Sequence, residues 1–323
     1  MMFLYDTNGS CLMKRDNALE VRSATVWIDL INPTSDEEAA IEKVLEIDVP
    51  TRAEMREIEA SNRFYTENNA QFMTAFVVHG ADADKVITSN VTFILSGNRL
   101  ITVRYSEPKA FAIFSDRACR ALDHCQSGAG IMTGLLETII QRQADLIEKL
   151  QDGVEMLAPK IFDRTNGDTA MSRDLGNMLK TVGHLGDITS RATESATSLH
   201  RTLLHFAEAV RERGEDAKLK ARIEGADRDI VSLGEHLRFV SGRTGFLLDA
   251  TLGMISTEQN QIIKLFSVMA VMLMPPTLVA SIYGMNFKHM PELDLPFGYP
   301  MAIAMMLISG LVPYLYFKRK GWL

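Results

Sequence analysis

Two long runs without a charged residue, near the carboxyl end, constrain this chain more than any other feature of its sequence. Residues 265–287 and residues 295–317 each comprise 23 uncharged residues, in a chain of 323 residues of which 23% are charged. At about 1.5 Å per helical residue each run reaches roughly 35 Å, enough to cross a hydrocarbon core of about 30 Å. Buried helices of a globular domain are rarely so long and so free of charge. The sequence therefore predicts a transmembrane hairpin of two helices joined by the short outer loop 288–294.

Basic residues at the ends of the two runs predict how the hairpin lies in the membrane. Lys264 precedes the first run, and Lys318, Arg319 and Lys320 follow the second. Because Lys and Arg concentrate on the cytoplasmic side of membrane proteins, both termini are expected in the cytoplasm. The chain is therefore predicted to be a multi-pass protein of the inner (plasma) membrane, with the lipid bilayer as a partner.

The remainder of the chain is acidic. Residues 261–323 contain five basic and two acidic residues and so carry a charge of +3. Because the net charge of the whole chain is −7, residues 1–260 carry −10. An acidic body of this kind argues against nucleic acid as a partner, since nucleic-acid binding depends on Lys and Arg that neutralise phosphates.

Hydrophobic patterning divides this acidic body into an α/β part and a helical part. Alternating apolar residues and turn signals predict four strands, at 25–30, 72–79, 86–95 and 100–104. A turn ending in Thr34 and Ser35 predicts a helix beginning near Asp36, and Thr51 with Glu54 forms the capping box of another. Longer helical periodicity predicts three further helices, at about 131–161, 171–210 and 229–282.

These patterns predict an α+β cytoplasmic domain, an α/β sandwich plus long helices, followed by the transmembrane hairpin. We expect an α/β domain over 1–127, a helical region with a long stalk helix over 128–264, and the hairpin with a basic tail over 265–323. The last helix joins body and membrane without a linker. Two interpretations fit this helical pattern: a rigid rod that transmits movement of the body to the membrane, and a passive stalk.

No pattern of catalytic residues stands out. The chain contains neither H-E-x-x-H nor the phosphate-binding G-x-x-x-x-G-K-[ST]. His200 and His205 are five residues apart, off a shared helical face, which disfavours a metal site there. We therefore expect neither an enzyme nor an organic cofactor.

The motif that carries chemistry lies at the end of the first apolar run, where Tyr283, Gly284, Met285, Asn286 and Phe287 follow one another. Mg²⁺ gives up its water reluctantly, so a pore that passes it quickly should contact the hydration shell with neutral oxygens. The Asn286 amide offers such an oxygen. The alternative is an ordinary helix C-cap formed by Gly and Asn.

These residues resemble the CorA family of magnesium transporters. The resemblance rests on 283–287, on Met-Pro-Glu-Leu at 290–293, on Phe-Gly-Tyr-Pro at 297–300 and on the tail Tyr-Phe-Lys-Arg-Lys-Gly-Trp-Leu at 316–323. It implies a homopentamer with a cytoplasmic funnel, in which the first span of each subunit lines one central pore. It also implies influx of Mg²⁺, with Co²⁺ and Ni²⁺ as further ions, and closure by internal Mg²⁺ bound at the cytoplasmic interfaces.

The resemblance assigns roles to individual positions. It places the selectivity filter at Tyr283, Gly284, Met285 and Asn286, with Asn286 holding hydrated Mg²⁺. It places the pore lining and gate at Asn260, Ile263, Phe266, Ala270, Met274, Thr277 and Ser281. These positions step by three or four and so share a helix face, although ordinary helix packing produces the same stripe.

Several assignments keep two explanations. Glu292 and Asp294 in the outer loop are expected to attract cations, although Lys288 follows Phe287 where the family often has an acid. Asp227 and Asp229 are candidate regulatory metal sites or simply solvated charges. Lys264 and the three basic residues 318–320 form an inner basic ring or ordinary cytoplasmic flanks. Pro275 and Pro276 kink the helix, or free two carbonyl groups toward the ion path.

Two other functions remain as alternatives. A Zn²⁺ transporter of the same superfamily shares the Gly-Met-Asn tripeptide, and the Met-Pro-Glu-Leu segment disfavours it. A membrane-anchored sensor without transport suits the long stalk, although an anchor has no need of Asn286 or of a polar-dotted face on its first span.

Overall fold

The computed structural model describes residues 1–8, 11–16, 20–57, 59–80, 86–120, 125–162, 171–286, 290–291 and 295–322. In this part of the chain the strands are β1 Met2–Thr7, β2 Leu12–Asp16, β3 Thr25–Ile31, β4 Phe64–Glu67, β5 Ala70–His79, β6 Ile87–Ser96 and β7 Arg99–Arg104. The helices are α1 Ser35–Leu45, α2 Ala60–Arg63, α3 Lys109–Ala118, α4 Gly128–Phe162, α5 Met171–Glu212, α6 Ala217–Tyr283 and α7 Gly298–Arg319. The predicted α+β body followed by two apolar helices is confirmed.

The strands form a single sheet in the order β2-β1-β3-β7-β6-β5-β4. Only the pairing of β3 with β7 is parallel, and it places Ile28 beside Ile101. The other neighbours are antiparallel. Every residue of β3 is buried, as expected for a strand in the middle of a sheet that is covered on both faces.

The two faces of the sheet carry different helices. Ile28 and Leu30 on one face belong to a core that includes Ile41 of α1. Trp27, which alternation places on the opposite face, has its ring centroid 5.7 Å from that of Phe114 in α3. This layering confirms the predicted α/β sandwich.

A buried polar network ties β3 to β7. Trp27 Nε1 donates to Thr102 Oγ1 at 3.0 Å, and Thr102 Oγ1 donates to Asp29 Oδ1 at 2.7 Å. Arg104 completes the network with two hydrogen bonds to the same carboxylate, from Nε at 3.0 Å and from Nη2 at 2.8 Å. The side chains of Arg104 and Asp29 are only 6% and 2% exposed, so each charge depends on the other for compensation.

Helix boundaries differ from the sequence prediction in two places. The stalk helix α6 begins at Ala217 rather than near Asp229, because Ala, Lys, Arg and Glu favour helix and the single Gly225 between these residues costs only about 1 kcal/mol. The capping box forms as predicted, with Thr51 N donating to Glu54 Oε2 at 2.8 Å. It opens only the short 3₁₀ turn Glu54–Arg56, since a cap satisfies the first amides without supplying the buried face that prolongs a helix.

The described part of the chain falls into two compact units. One lies within residues 1–164 and 180–248, and the other within 165–179 and 249–323. Helix α6 contributes residues to both. The domain boundaries predicted at 127 and 264 stay a prediction.

Arg104→Met is expected to destabilise the first unit by about 3–5 kcal/mol, because it leaves the Asp29 carboxylate buried and unpaired. The double variant Asp29→Asn/Arg104→Met should recover part of this loss, since no charge remains buried. Urea unfolding of the detergent-solubilised protein, followed by tryptophan fluorescence, measures both changes. Arg191→Met, which removes a half-exposed arginine from a surface ion pair on α5, is the control and should leave the midpoint almost unchanged. Equal midpoints for Arg104→Met and Arg191→Met would contradict a structural role for the buried pair.

Candidate functional site

Two helices are long and apolar enough to cross a membrane, α6 through its carboxyl half and α7. In each of them only 6% of the most apolar stretch is buried within the chain. A core helix of a soluble protein would hide most of such a stretch, so the burial excludes the pair of buried core helices that could have explained the sequence. The helical part of the first run ends at Tyr283 and α7 begins at Gly298, so both helices are slightly offset from the predicted spans 265–287 and 295–317.

The two helices approach each other closely at Gly310. A Cβ atom on Gly310 would lie 3.4 Å from Pro276 Cγ and 3.5 Å from the carbonyl oxygen of Met272. Pro276 has no amide hydrogen to donate to that carbonyl four residues earlier. The Met272 carbonyl therefore faces α7, and the small residue lets the neighbouring backbone cover it.

The predicted pore stripe lies on the opposite side of α6 from this contact. Phe266, Ala270 and Met274 each lie two positions before a residue on the contact side of α6. Those contact-side residues are Val268, Met272 and Pro276, respectively. Two positions correspond to about 200° around an α-helix. The structure leaves all members of the stripe exposed within the single chain, namely Asn260, Ile263, Phe266, Ala270, Met274, Thr277 and Ser281.

This exposure matters most for the large apolar members of the stripe. The exposed fractions of Ile263, Phe266 and Met274 are 62%, 66% and 70%. Packing of α6 against α7 within one chain does not account for the position of these side chains. Their role as a pore lining stays a prediction.

Of the predicted selectivity residues, Tyr283 is the last residue of α6, and Gly284, Met285 and Asn286 follow it. Gly284 N donates to Ala280 O at 2.9 Å and Met285 N to Ile282 O at 3.3 Å, so the helix closes there with a turn. Asn286 comes next and is exposed outside any helix. Gly284 and Met285 therefore end the helix, and the side-chain amide of Asn286, the next residue, is exposed.

The opposite end of the hairpin gathers the basic residues. Lys264 Nζ lies 5.1 Å from the centre of the Trp322 ring, a cation–π distance. Trp322 stacks on Phe317, with 5.3 Å between ring centroids. The tail that carries Lys318, Arg319 and Lys320 therefore lies at the same end of the hairpin as Lys264.

A Schellman motif fixes this tail. Gly321 has a φ of +69°, Gly321 N donates to Lys318 O at 3.2 Å, and Trp322 N donates to Phe317 O at 3.0 Å. Sequence reasoning missed the link from Trp322 to Lys264. The spacing of Phe317, Gly321 and Trp322 was the available signal, because this motif pairs an apolar residue after the glycine with one five positions earlier.

The acidic candidates divide into three cases. Asp227 Oδ1 lies 2.7 Å from His200 Nδ1 of α5, so it is already paired within the chain. Asp229 is exposed. It follows Asp227 by two positions, so the two side chains lie on different sides of the helix. Glu292 and Asp294 lie outside the described residues. Among the described residues no group of three or more His, Cys, Asp and Glu side chains is placed to hold a metal ion.

Comparison with known proteins identifies the family. The family model described as CorA-like Mg²⁺ transporter protein matches residues 22–319. The chain belongs to this family. It is 38% identical over 299 residues to the magnesium transport protein CorA of Escherichia coli strain K12, covering 92% of each chain. It is 35% identical over 312 residues to the CorA protein of Mannheimia succiniciproducens, covering 96% of each.

Solved structures support the CorA fold. The CorA magnesium transporter of Methanocaldococcus jannaschii superposes with a TM-score of 0.69 at 17% identity, covering 100% of this chain and 99% of the other. The cytoplasmic domain of ZntB from Vibrio parahaemolyticus gives 0.56 at 10% identity, covering 80% and 97%. At these identities the likeness is one of fold alone. The CorA-like family consists of transporters, so the expectation that the chain is not an enzyme is confirmed.

Gly310→Leu is expected to lower the stability of the CorA hairpin by about 1–3 kcal/mol, because its branched side chain must displace Pro276 or the Met272 carbonyl. Gly310→Ala should be tolerated, since a single Cβ would meet these atoms at ordinary contact distances. The unfolding midpoint of the protein in detergent measures the difference. Ala304→Leu, at an exposed position of α7, controls for added bulk. If it lowered the midpoint as much as Gly310→Leu, the close approach would not be the cause.

Proposed function

We propose that this chain forms a homopentameric, ion-selective channel that brings Mg²⁺ into the cytoplasm across the inner membrane. The observation that carries the proposal is the position of Gly284, Met285 and Asn286, immediately after the end of an apolar helix that is long enough to cross a membrane. Relatives that cover more than nine-tenths of the chain are magnesium transport proteins, which supports Mg²⁺ as the transported ion.

In this proposal Asn286 forms the outer selectivity ring. Five amide oxygens contact the water shell of Mg²⁺ and leave the shell in place, so that the ion is selected and released without the cost of dehydration. The exposed stripe on α6 then lines the pore. Its large apolar members, Met274, Phe266 and Ile263, are constrictions that close the path by excluding water.

The basic end of the hairpin supports the orientation and the driving force. Lys264 and the tail lie at one end, which faces the cytoplasm under the positive-inside rule. The membrane potential then pulls Mg²⁺ inward, with about 4.6 kcal/mol per 100 mV for a divalent ion. Co²⁺ and Ni²⁺, which carry the same charge, are further proposed ions.

Internal Mg²⁺ is proposed to close the channel. Five bodies with a charge of −10 each repel one another, and bound Mg²⁺ neutralises carboxylates between them. Asp229 is exposed and available for this role, whereas Asp227 must first leave His200. Loss of the ion lets the bodies separate and the α6 helices move.

Asn286→Ala is expected to abolish Mg²⁺ entry into dye-loaded proteoliposomes under an imposed inside-negative potential, because the ring loses its amide oxygens. Asn98→Ala, which truncates an amide in the turn between β6 and β7, is the control and should keep wild-type flux. Zn²⁺ entry that depends on a pH gradient, without Mg²⁺ entry, would transfer the protein to zinc transport. Absence of any flux from the wild type would favour the anchored sensor.

Asp229→Lys is expected to make flux less sensitive to internal Mg²⁺, since a fixed positive charge replaces the neutralising ion. The concentration of internal Mg²⁺ that halves the flux should shift by about tenfold, which corresponds to about 1.4 kcal/mol of coupling. Asp227→Lys should act in the same way if its carboxylate is released from His200. Asp187→Lys on α5 serves as the matched acidic control. An inhibition curve that is the same for all three variants and the wild type would rule out this gating mechanism.

A further inference from the structure

A wide cleft lies in the first compact unit, within residues 1–164 and 180–248. Its lining residues are distant in sequence from the proposed pore residues and are of different types. The cleft measures about 710 Å³ and lies between the β4–β5 edge of the sheet, α5 and α6. The residues of its lining that bear on its chemistry are Arg56, Arg63, Arg201, Glu194, Ser190 and Ser241. Volumes of this size are typical of small-molecule sites.

The floor of the cleft is preformed by hydrogen bonds between β5 and α5. Strand β4 pairs with β5 only as far as Met73, so the later residues of β5 have no neighbouring strand on that side. Phe76 N donates to Ser198 Oγ at 2.9 Å, and Ser195 Oγ donates to Phe76 O at 2.9 Å. These bonds hold the helix beside the strand edge and leave room above it where β4 has ended.

Arg63 is held in this cleft in a fixed position. Its Nε donates to Glu57 O at 2.7 Å, and its guanidinium lies 4.2 Å from the centre of the Phe76 ring. Burial lowers the pKa of the Arg63 guanidinium, the Glu194 carboxylate acts against this, and the nearby Arg201 lowers the pKa further. The site therefore holds a guanidinium whose positive charge is incompletely compensated.

The two other arginines add to this excess of positive charge. In the described part of the chain neither Arg56 nor Arg201 forms an ion pair with a carboxylate. Three guanidinium groups face one carboxylate, Glu194, which gives the cleft a formal charge of +2 in a chain whose net charge is −7. Unpaired positive charge concentrated in a concave site attracts anions.

We propose that this cleft binds a small molecule bearing a chain of phosphates. Guanidinium groups match phosphate oxygens with two parallel hydrogen bonds each, and several guanidiniums at one site favour a ligand with several negative charges. The hydroxyl groups of Ser190 and Ser241 supply further donors. The site belongs to the cytoplasmic unit and does not depend on the proposed transport.

Isothermal titration calorimetry on the full-length protein in detergent, in Mg²⁺-free buffer, tests the proposal with ATP and with inorganic pyrophosphate as probes. Both are expected to bind, more weakly as salt concentration rises. Equal affinities identify the phosphate chain as the ligand, and tighter binding of ATP adds a contribution from its nucleoside. Absence of binding of either probe at millimolar concentration, including the case in which another subunit covers the cleft, would overturn the proposal.

Variants that change the charge in opposite directions make the test specific. Arg201→Gln should weaken binding at least tenfold, and Glu194→Gln should tighten it severalfold. Arg211→Gln, on the same helix but outside the cleft, is the matched control and should bind as the wild type does. Equal losses in Arg201→Gln and Arg211→Gln would show non-specific attraction and overturn the proposal. Mg²⁺ flux measured on the same preparations separates a failure of this site from a failure of the transport function.

Discussion

Within a lipid bilayer the backbone has no water to bond, and every amide and carbonyl group must find a partner inside the protein. The two membrane helices meet this condition almost throughout. The exceptions are Pro275 and Pro276 in α6 and Pro313 in α7, each of which removes one helical hydrogen bond. The close contact with Gly310 covers the freed Met272 carbonyl with the neighbouring helix, so the pairing of α6 and α7 depends on a small residue at this one position.

The pairing of α6 with α7 also determines which side of α6 is left without a contact inside the chain. With Met272 and Pro276 facing α7, the stripe from Ile263 to Ser281 faces away from the partner helix. A lone hairpin would leave large apolar and small polar side chains mixed on one exposed face. Such a face suits neither pure lipid contact nor water.

The sequence predicted the features that depend on local chemistry. Charge-free runs predicted the spans, and alternation predicted the central strand β3 and the hairpin of β6 and β7. It left the strands β1, β2 and β4 unassigned, and the contacts that it missed depend on residues distant in sequence. The pairing of His200 with Asp227 requires knowing that α5 and α6 pack side by side. The hydrogen bonds from Arg104 to Asp29 require the parallel pairing of β3 and β7, and the contact of Trp322 with Lys264 requires the hairpin to be closed.

Strand edges that expose free amide and carbonyl groups are templates for the addition of another chain, and proteins commonly protect them. Here the edge of β5 beyond β4 is occupied by serine hydroxyl groups of α5, which accept from Phe76 N and Val78 N and donate to Phe76 O. A helix thus satisfies the backbone that a further strand would otherwise bond. Copies of this protein cannot join by extending the sheet at Phe76 and Val78, which also removes one route to aggregation of the first unit.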